Sequence, residues 1–144
     1  MALIGLSKKA QKLLLLAHHE ADRIGSSCVS SEHILLGVLA FGGFQSLLSS
    51  RLTLEAVRSF VSATGRSIEE ADHGYGQSSR DIFRKAARLS KQLGHKQVGA
   101  AHIILALLSQ RTGGAIRTLE HFGVEKETAK RRLLQRIQTR KQPW

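Results

Sequence analysis

Cysteine, proline and aromatic residues are scarce in this 144-residue sequence. The single cysteine, Cys28, cannot form an intramolecular disulfide and stands in no metal-ligand spacing. That points to a reducing, cytoplasmic setting, with Cys28 acting as a small apolar filler. The single proline, Pro143, lies at the extreme C-terminus and breaks no element. Aromatic residues make up 5 % of the chain against 42 % apolar residues in all. The core must therefore come from Leu, Ile, Val and Ala, a mixture that favours packed helices over a β-sandwich. No apolar run approaches the roughly 20 residues of a membrane span. The opening Met1-Ala2-Leu3-Ile4-Gly5-Leu6 is too short and too uncharged for a signal peptide. Acidic residues are half as numerous as basic ones, 11 against 22, for a net charge of +11. Such a balance suits a nucleic-acid or membrane-surface partner, an acidic protein partner, or simply a solvated basic surface.

Helical periodicity runs through most of the chain. Ser7 caps a first helix over 8–24, with Ala10, Leu13, Leu14, Ala17, Ala21 and Ile24 on one face and Gly25 as its stop. Ser30 or Ser31 caps a second over 32–40, with Ile34, Leu35, Val38 and Leu39 as its buried stripe and Glu32 in its first turn. Short helices follow at about 44–49 and 54–63. Residues 65–78, with three glycines and no apolar period, read as a linker. Ser78 or Ser79 then caps a fifth helix with Ile82, Phe83, Ala86, Leu89, Ser90 and Leu93 buried. Helices at about 101–109, 115–122 and 126–139 complete the set, the last burying Ala129, Leu133, Leu134 and Ile137. Residues 139–144 form a tail.

The second half repeats the first. At a shift of 69 residues Leu13 matches Ile82, Ala17 matches Ala86, Gly25 matches Gly94, Val29 matches Val98, His33 matches His102 and Leu39 matches Leu108. Two extra residues near Arg111-Thr112 move the shift to 71, where Gly42-Gly43 meets Gly113-Gly114. The expected architecture is all-α: two pseudo-symmetric four-helix repeats, about 4–64 and 79–138, packed face to face as one eight-helix domain over 1–144.

Chemistry-bearing patterns are few. The glycine pairs lack a following Lys-Ser/Thr and are turns, not phosphate loops. His18 and His19 point about 100° apart on a helix, so they make no shared metal face. His33 and His102 recur, but no nucleophile recurs with them: Cys28 is answered by Gln97. Their expected role is as buried histidines bonded to backbone. The sequence reads as a non-enzyme without a cofactor. Lys126, Lys130, Arg131, Arg132, Arg136, Arg140 and Lys141 face only Glu125 and Glu127 from 124 onward, marking a face for an acidic partner or for phosphates. That stretch lacks stacking aromatics and a base-reading helix start, so sequence-independent nucleic-acid binding is the alternative function rather than the leading one.

Ala10-Gln11-Lys12-Leu13-Leu14, Ala21-Asp22-Arg23-Ile24-Gly25 and Ser31-Glu32-His33-Ile34-Leu35-Leu36-Gly37 resemble the first repeat of the Clp N-terminal domain, most closely the ClpC type. Leu93-Gly94-His95, Val98-Gly99 and His102-Ile103-Ile104-Leu105 resemble the second. The resemblance implies a protein-interaction module that docks adaptor proteins, degradation substrates or the Clp ATPase and protease subunits. It is compatible with a free-standing member that carries no ATPase ring, in the cytoplasm or in the plastid stroma after removal of a transit peptide. It also implies a phosphoarginine pocket in which Glu32 accepts from the guanidinium and Ser7 stands where the family has a hydroxyl at the start of the first helix. The matching second-repeat position is Ala101, which has no charge to offer a guanidinium.

Overall fold

The computed structural model describes residues 5–64 and 69–139, and the expected tail from 140 onward lies outside them. The described residues form eight helices: α1 (Lys8–Arg23), α2 (Ser31–Phe41), α3 (Gln45–Leu48), α4 (Leu54–Ala63), α5 (Gln77–Gln92), α6 (Ala100–Leu108), α7 (Gly114–His121) and α8 (Lys126–Thr139). Among the described residues there is no strand, only isolated bridges.

Those bridges reveal the symmetry. Leu6 pairs with Val98, and Tyr75 pairs with Val29. The Ser7 N–H donates to the Val98 carbonyl (2.9 Å) and the Val98 N–H to Gly5 (2.7 Å). The Gly76 N–H donates to Val29 (2.9 Å) and the Val29 N–H to Gly74 (2.8 Å). Each set becomes the other under the 69-residue shift. The start of α1 is thus bonded to the loop before α6, and the start of α5 to the loop before α2. The all-α pair of repeats that the sequence implies is what folds, and the halves are joined by swapped backbone bonds as well as by apolar packing. Gly25 and Gly94 end α1 and α5 at φ of 68° and 73°, a region in which a side chain would be strained.

The two motif helices lie at the centre. From Ser31 to Leu39 every residue of α2 is buried, and so is every residue of α6. The expected one-sided stripe on α2 is therefore corrected. Because α2 packs on α1, α4, α5, α6 and α7, no face of it is left to water. Gly37 permits the closest of these approaches: a Cβ there would lie 2.8 Å from the Leu13 carbonyl oxygen and 3.0 Å from Ala17 N.

Three other expectations change. Leu93 and Leu134, both expected in the core, are 45 % and 42 % exposed. Leu93 sits just past the last turn of α5 and Leu134 on the outer face of α8, where periodicity alone does not decide burial. The fifth helix starts at Gln77 with Gly76 as its cap, ahead of Ser78. The linker, which shows no apolar period, nonetheless holds a buried Tyr75. Its ring meets Phe83 edge-on at 4.8 Å, and its hydroxyl lies 2.8 Å from His18 Nε2.

Candidate functional site

The motif residues serve the fold first. The Ser30 N–H donates to His33 Nδ1 (2.9 Å), and the Gly99 N–H donates to His102 Nδ1 (2.7 Å). Each histidine thus satisfies an amide at the start of its own helix, which the helix ladder cannot reach. With Nδ1 accepting, the proton sits on Nε2. In His102 that proton is donated to His95 Nδ1 (2.9 Å). Burial pushes the His33 imidazole down, against the opposing pull of Glu32, Glu69 and Glu20. Burial, with His95 beside it, holds His102 down at about 4.

An unfolded histidine titrates near 6.5, so the folded state resists protonation and the unfolded state does not. The stabilisation from His102 is complete above about pH 6.5 and falls away as pH drops toward 4. Between pH 7 and 5 this group removes about 2 kcal/mol. Urea unfolding of the wild type and of His102→Asn, whose amide oxygen can still accept from Gly99, measures it. Identical pH slopes for the two would refute the assignment.

Ser31, Glu32 and their neighbours form a polar junction where the starts of α2, α5 and α7 meet. The Ser31 N–H donates to Ser78 Oγ (2.9 Å), and Ser31 Oγ accepts from the Ala115 N–H (3.0 Å). Ser78 in turn donates its N–H (2.9 Å) and its hydroxyl (2.8 Å) to the Glu69 carboxylate. That carboxylate fills the space where a Gly76 side chain would be, and it explains why α5 begins early without a side-chain cap of its own. Gly113, at φ 112°, turns the chain into α7. A Cβ on Gly114, the first residue of α7, would lie 2.6 Å from the Glu32 carboxyl carbon. Glu32 is only 4 % exposed. Its carboxylate lies against the first turn of α7, where the helix dipole favours a negative charge.

This makes an epistasis test. Glu32→Ala is expected to cost about 1–2 kcal/mol through loss of that charge. Gly114→Ala is expected to destabilise the wild type, because the new methyl meets Glu32. In the Glu32→Ala background the same change is expected to stabilise by up to about 1 kcal/mol, through helix propensity alone. Thermal unfolding of the four proteins reads the sign change, and a Gly114→Ala effect indifferent to residue 32 would remove this account.

Ser7 and Glu32 are not brought together. Gly37 rests on Leu13 and Ala17, and the short turn between α1 and α2 makes the two helices antiparallel. Glu32 therefore lies toward the C-terminal end of α1, whereas Ser7 caps its N-terminal end by accepting from the Ala10 N–H (3.1 Å). Sixteen residues of helix, roughly 24 Å, separate those ends. Each belongs to a different cross-half junction. Ser7 faces the loop before α6, where the second-repeat counterpart of Glu32 is Ala101; Glu32 stands on α2, whose facing cap is Gly76. The hydroxyl and the carboxylate are thus allotted to opposite junctions, a division that sequence spacing does not display because it depends on which half meets which.

The basic residues of α8 also divide. Arg136 donates to the Gly43 carbonyl and to Ser46 Oγ (3.2 Å), with its guanidinium 5.8 Å from the centre of the Phe44 ring. Lys126 Nζ donates to the Gln110 carbonyl (2.9 Å), and Lys130 pairs with Glu127 (3.3 Å). The Arg136 and Lys126 contacts tie α8 to α3 and to the turn before α7, whereas the Lys130–Glu127 pair lies within α8. Arg131 and Arg132 are exposed beside a shallow cleft of about 430 Å³ lined by Lys130, Arg131, Leu134 and Gln138. Among the described residues, no group of three or more His, Cys, Asp or Glu side chains is placed to hold a metal ion. No described helix is long and apolar enough to cross a membrane.

Comparison with known proteins agrees with this architecture. Residues 75–143 match the Clp repeat (R) N-terminal domain. The negative regulator of genetic competence ClpC/MecB of Bacillus subtilis is 32 % identical over 90 % of this chain, which spans 16 % of that protein. The chaperone protein ClpB of Oceanobacillus iheyensis is 30 % identical over 90 % of the chain and 17 % of its own length. The chain therefore corresponds to less than a fifth of these relatives. The N-terminal domain of the chaperone ClpD from Arabidopsis thaliana superposes with a TM-score of 0.82 at 22 % identity, over 96 % of this chain and 97 % of that one. The Hsp104 N-terminal domain from Candida albicans gives 0.72 at 17 % identity, over 90 % and 89 %. With its repeat, its swapped junctions and these matches in accord, the chain belongs to the Clp N-terminal repeat domain family.

Proposed function

We propose that this chain is a non-enzymatic docking module of a Clp unfoldase or protease system, holding adaptors, degradation substrates or Clp ring subunits. One observation supports it above the others. The titratable motif residues that catalysis would need, His33, His102 and Glu32, are buried at helix starts inside the fold. What is left for function is the surface. Pull-down from a lysate with mass spectrometry tests the reading: recovery of a Clp ATPase, protease subunit or known Clp adaptor supports it, and recovery of none overturns it. The same reading places the protein in the cytoplasm, or in a plastid as in the chloroplastic relatives such as rice ClpC2.

Phosphoarginine recognition is the narrower question. The separation of Ser7 from Glu32 favours docking that does not use one pocket built from both. Titration calorimetry with phosphoarginine on wild type and Glu32→Ala decides. Heat that disappears in the variant would restore the pocket, and no heat with wild type would remove it. Exposed Arg131 and Arg132 favour the second reading, sequence-independent nucleic-acid binding through α8. A salt titration with labelled duplex checks it, and absence of binding near 50 mM salt excludes it.

A further inference from the structure

Carboxylates are missing from two long stretches of this chain. None precedes Glu20, and none lies between Asp81 and Glu120. The fold joins these stretches through the Leu6–Val98 bridge and its flanking backbone bonds. Around the join stand Lys8, Lys9 and Lys12 on the first turns of α1, and Arg88, Lys91 and Lys96 at the end of α5 and in the turn after it. Lys8, Lys91 and Lys96 are exposed, and among the described residues none of the three pairs with a carboxylate. Between the two groups lies an open cleft of about 500 Å³ lined by Ser7, Gly94, His95, Lys96 and Gln97. Leu93, next to Gly94 in the chain, is 45 % exposed. Meanwhile Glu20 and Glu32 are buried, so the outward charge is more one-sided than the composition alone suggests.

We propose that this face docks an acidic polypeptide segment, with its carboxylates against Lys8, Lys91 and Lys96 and an apolar side chain over Leu93. The proposal rests on the docking-module reading and names the partner's chemistry. Uncompensated surface charge of one sign steers an oppositely charged partner and sets its register, and salt weakens it. A polypeptide fits better than a nucleic acid because no Phe, Tyr or Trp lines the cleft to stack a base, whereas an exposed leucine beside it suits an apolar side chain.

Fluorescence anisotropy tests the proposal with a labelled peptide of alternating glutamate and leucine, the same peptide with glutamine for glutamate, and a labelled single-stranded oligonucleotide. The glutamate peptide is expected to bind and to weaken steeply with salt, and the glutamine peptide to bind far less. Lys91→Glu with Lys96→Glu is expected to weaken binding at least about tenfold. Leu93→Ser should weaken it too, and Arg131→Glu with Arg132→Glu should leave it unchanged. Equal binding of the glutamine peptide, tighter binding of the oligonucleotide, or loss only in the α8 pair would each overturn the proposal. Unchanged thermal melts of the variants show that a loss is local. A lysate pull-down separates the two readings. Clp components recovered equally by wild type and by the Lys91→Glu, Lys96→Glu protein would overturn this face and leave the docking module standing. A glutamate peptide that binds here while no Clp component is recovered would do the reverse.

Discussion

Gly37→Val is expected to destabilise the protein by about 3 kcal/mol, a drop of roughly 10 °C in melting temperature. The reason is backbone contact. A Cβ at this position would lie 2.8 Å from the Leu13 carbonyl oxygen, with Ala17 N and Cβ both at 3.0 Å, and valine adds two further methyl groups. Nothing there can move without shifting α1 off α2, and α2 is buried on every side. Gly37→Ala is expected to cost less, because helix propensity returns up to about 1 kcal/mol of the overpacking. The repeat-related position is Ala106, which shows that the second half tolerates the methyl group the first half excludes. Thermal unfolding by circular dichroism measures both variants. A Gly37→Val protein melting within a degree or two of wild type would show that the close approach of α1 and α2 is not a constraint.

Arg58→Ala is expected to cost about 2–3 kcal/mol, more than an exposed ion pair contributes. Glu20 is buried, its side chain 5 % exposed, and Arg58 grips it with two bonds, Nε to Oε1 at 2.9 Å and a terminal nitrogen to Oε2 at 2.7 Å. Removing the arginine leaves a buried carboxylate with, among the described residues, only the Arg23 cation, at 3.7 Å, in ion-pair reach. The magnitude is set below that of a fully buried pair because Arg58 is itself 30 % exposed. The second repeat carries Leu89 where the first has Glu20. Glu20→Leu combined with Arg58→Ala is therefore expected to recover most of the loss, since apolar packing replaces a desolvated charge at little cost. Urea unfolding of the two singles and the double gives the cycle. A double variant as unstable as the sum of its singles would rule out this account of the pair.

Much of this fold is legible without coordinates. Helical spacing of Leu, Ile, Val and Ala, serine and threonine caps and glycine stops identify eight helices whose boundaries, the start of α5 apart, lie within a residue of those in the structure. The recurrence of His, Ile and Leu at a fixed interval identifies the repeat. Burial is where the reading fails. A period of 3.6 tells which residues share a face but not how many faces a helix must bury. Surrounded by five neighbours, α2 loses every face to the interior, while Leu93 and Leu134, apolar and in register, stay nearly half exposed. The start of α5 differs from expectation for a related reason: the Ser78 amide in its first turn donates to Glu69, at a distance in sequence that no capping pattern includes.

Glu32 shows the division most clearly. In the sequence it is a first-turn glutamate after a serine, fit for its own helix dipole and, by family resemblance, for a guanidinium. The fold buries it against the first turn of α7 and puts Ser7 at the other end of α1. The helices, the doubling and the excess of positive charge are already set by the order of residues, because periodicity, caps and composition act locally or simply add up. Which helix start Glu32 serves, which of the α8 cations remain exposed, and the meeting of two carboxylate-free stretches in one face follow from the packing of the helices. Those outcomes depend on which segments the swapped junctions bring together, and contact between distant segments leaves no local period to read.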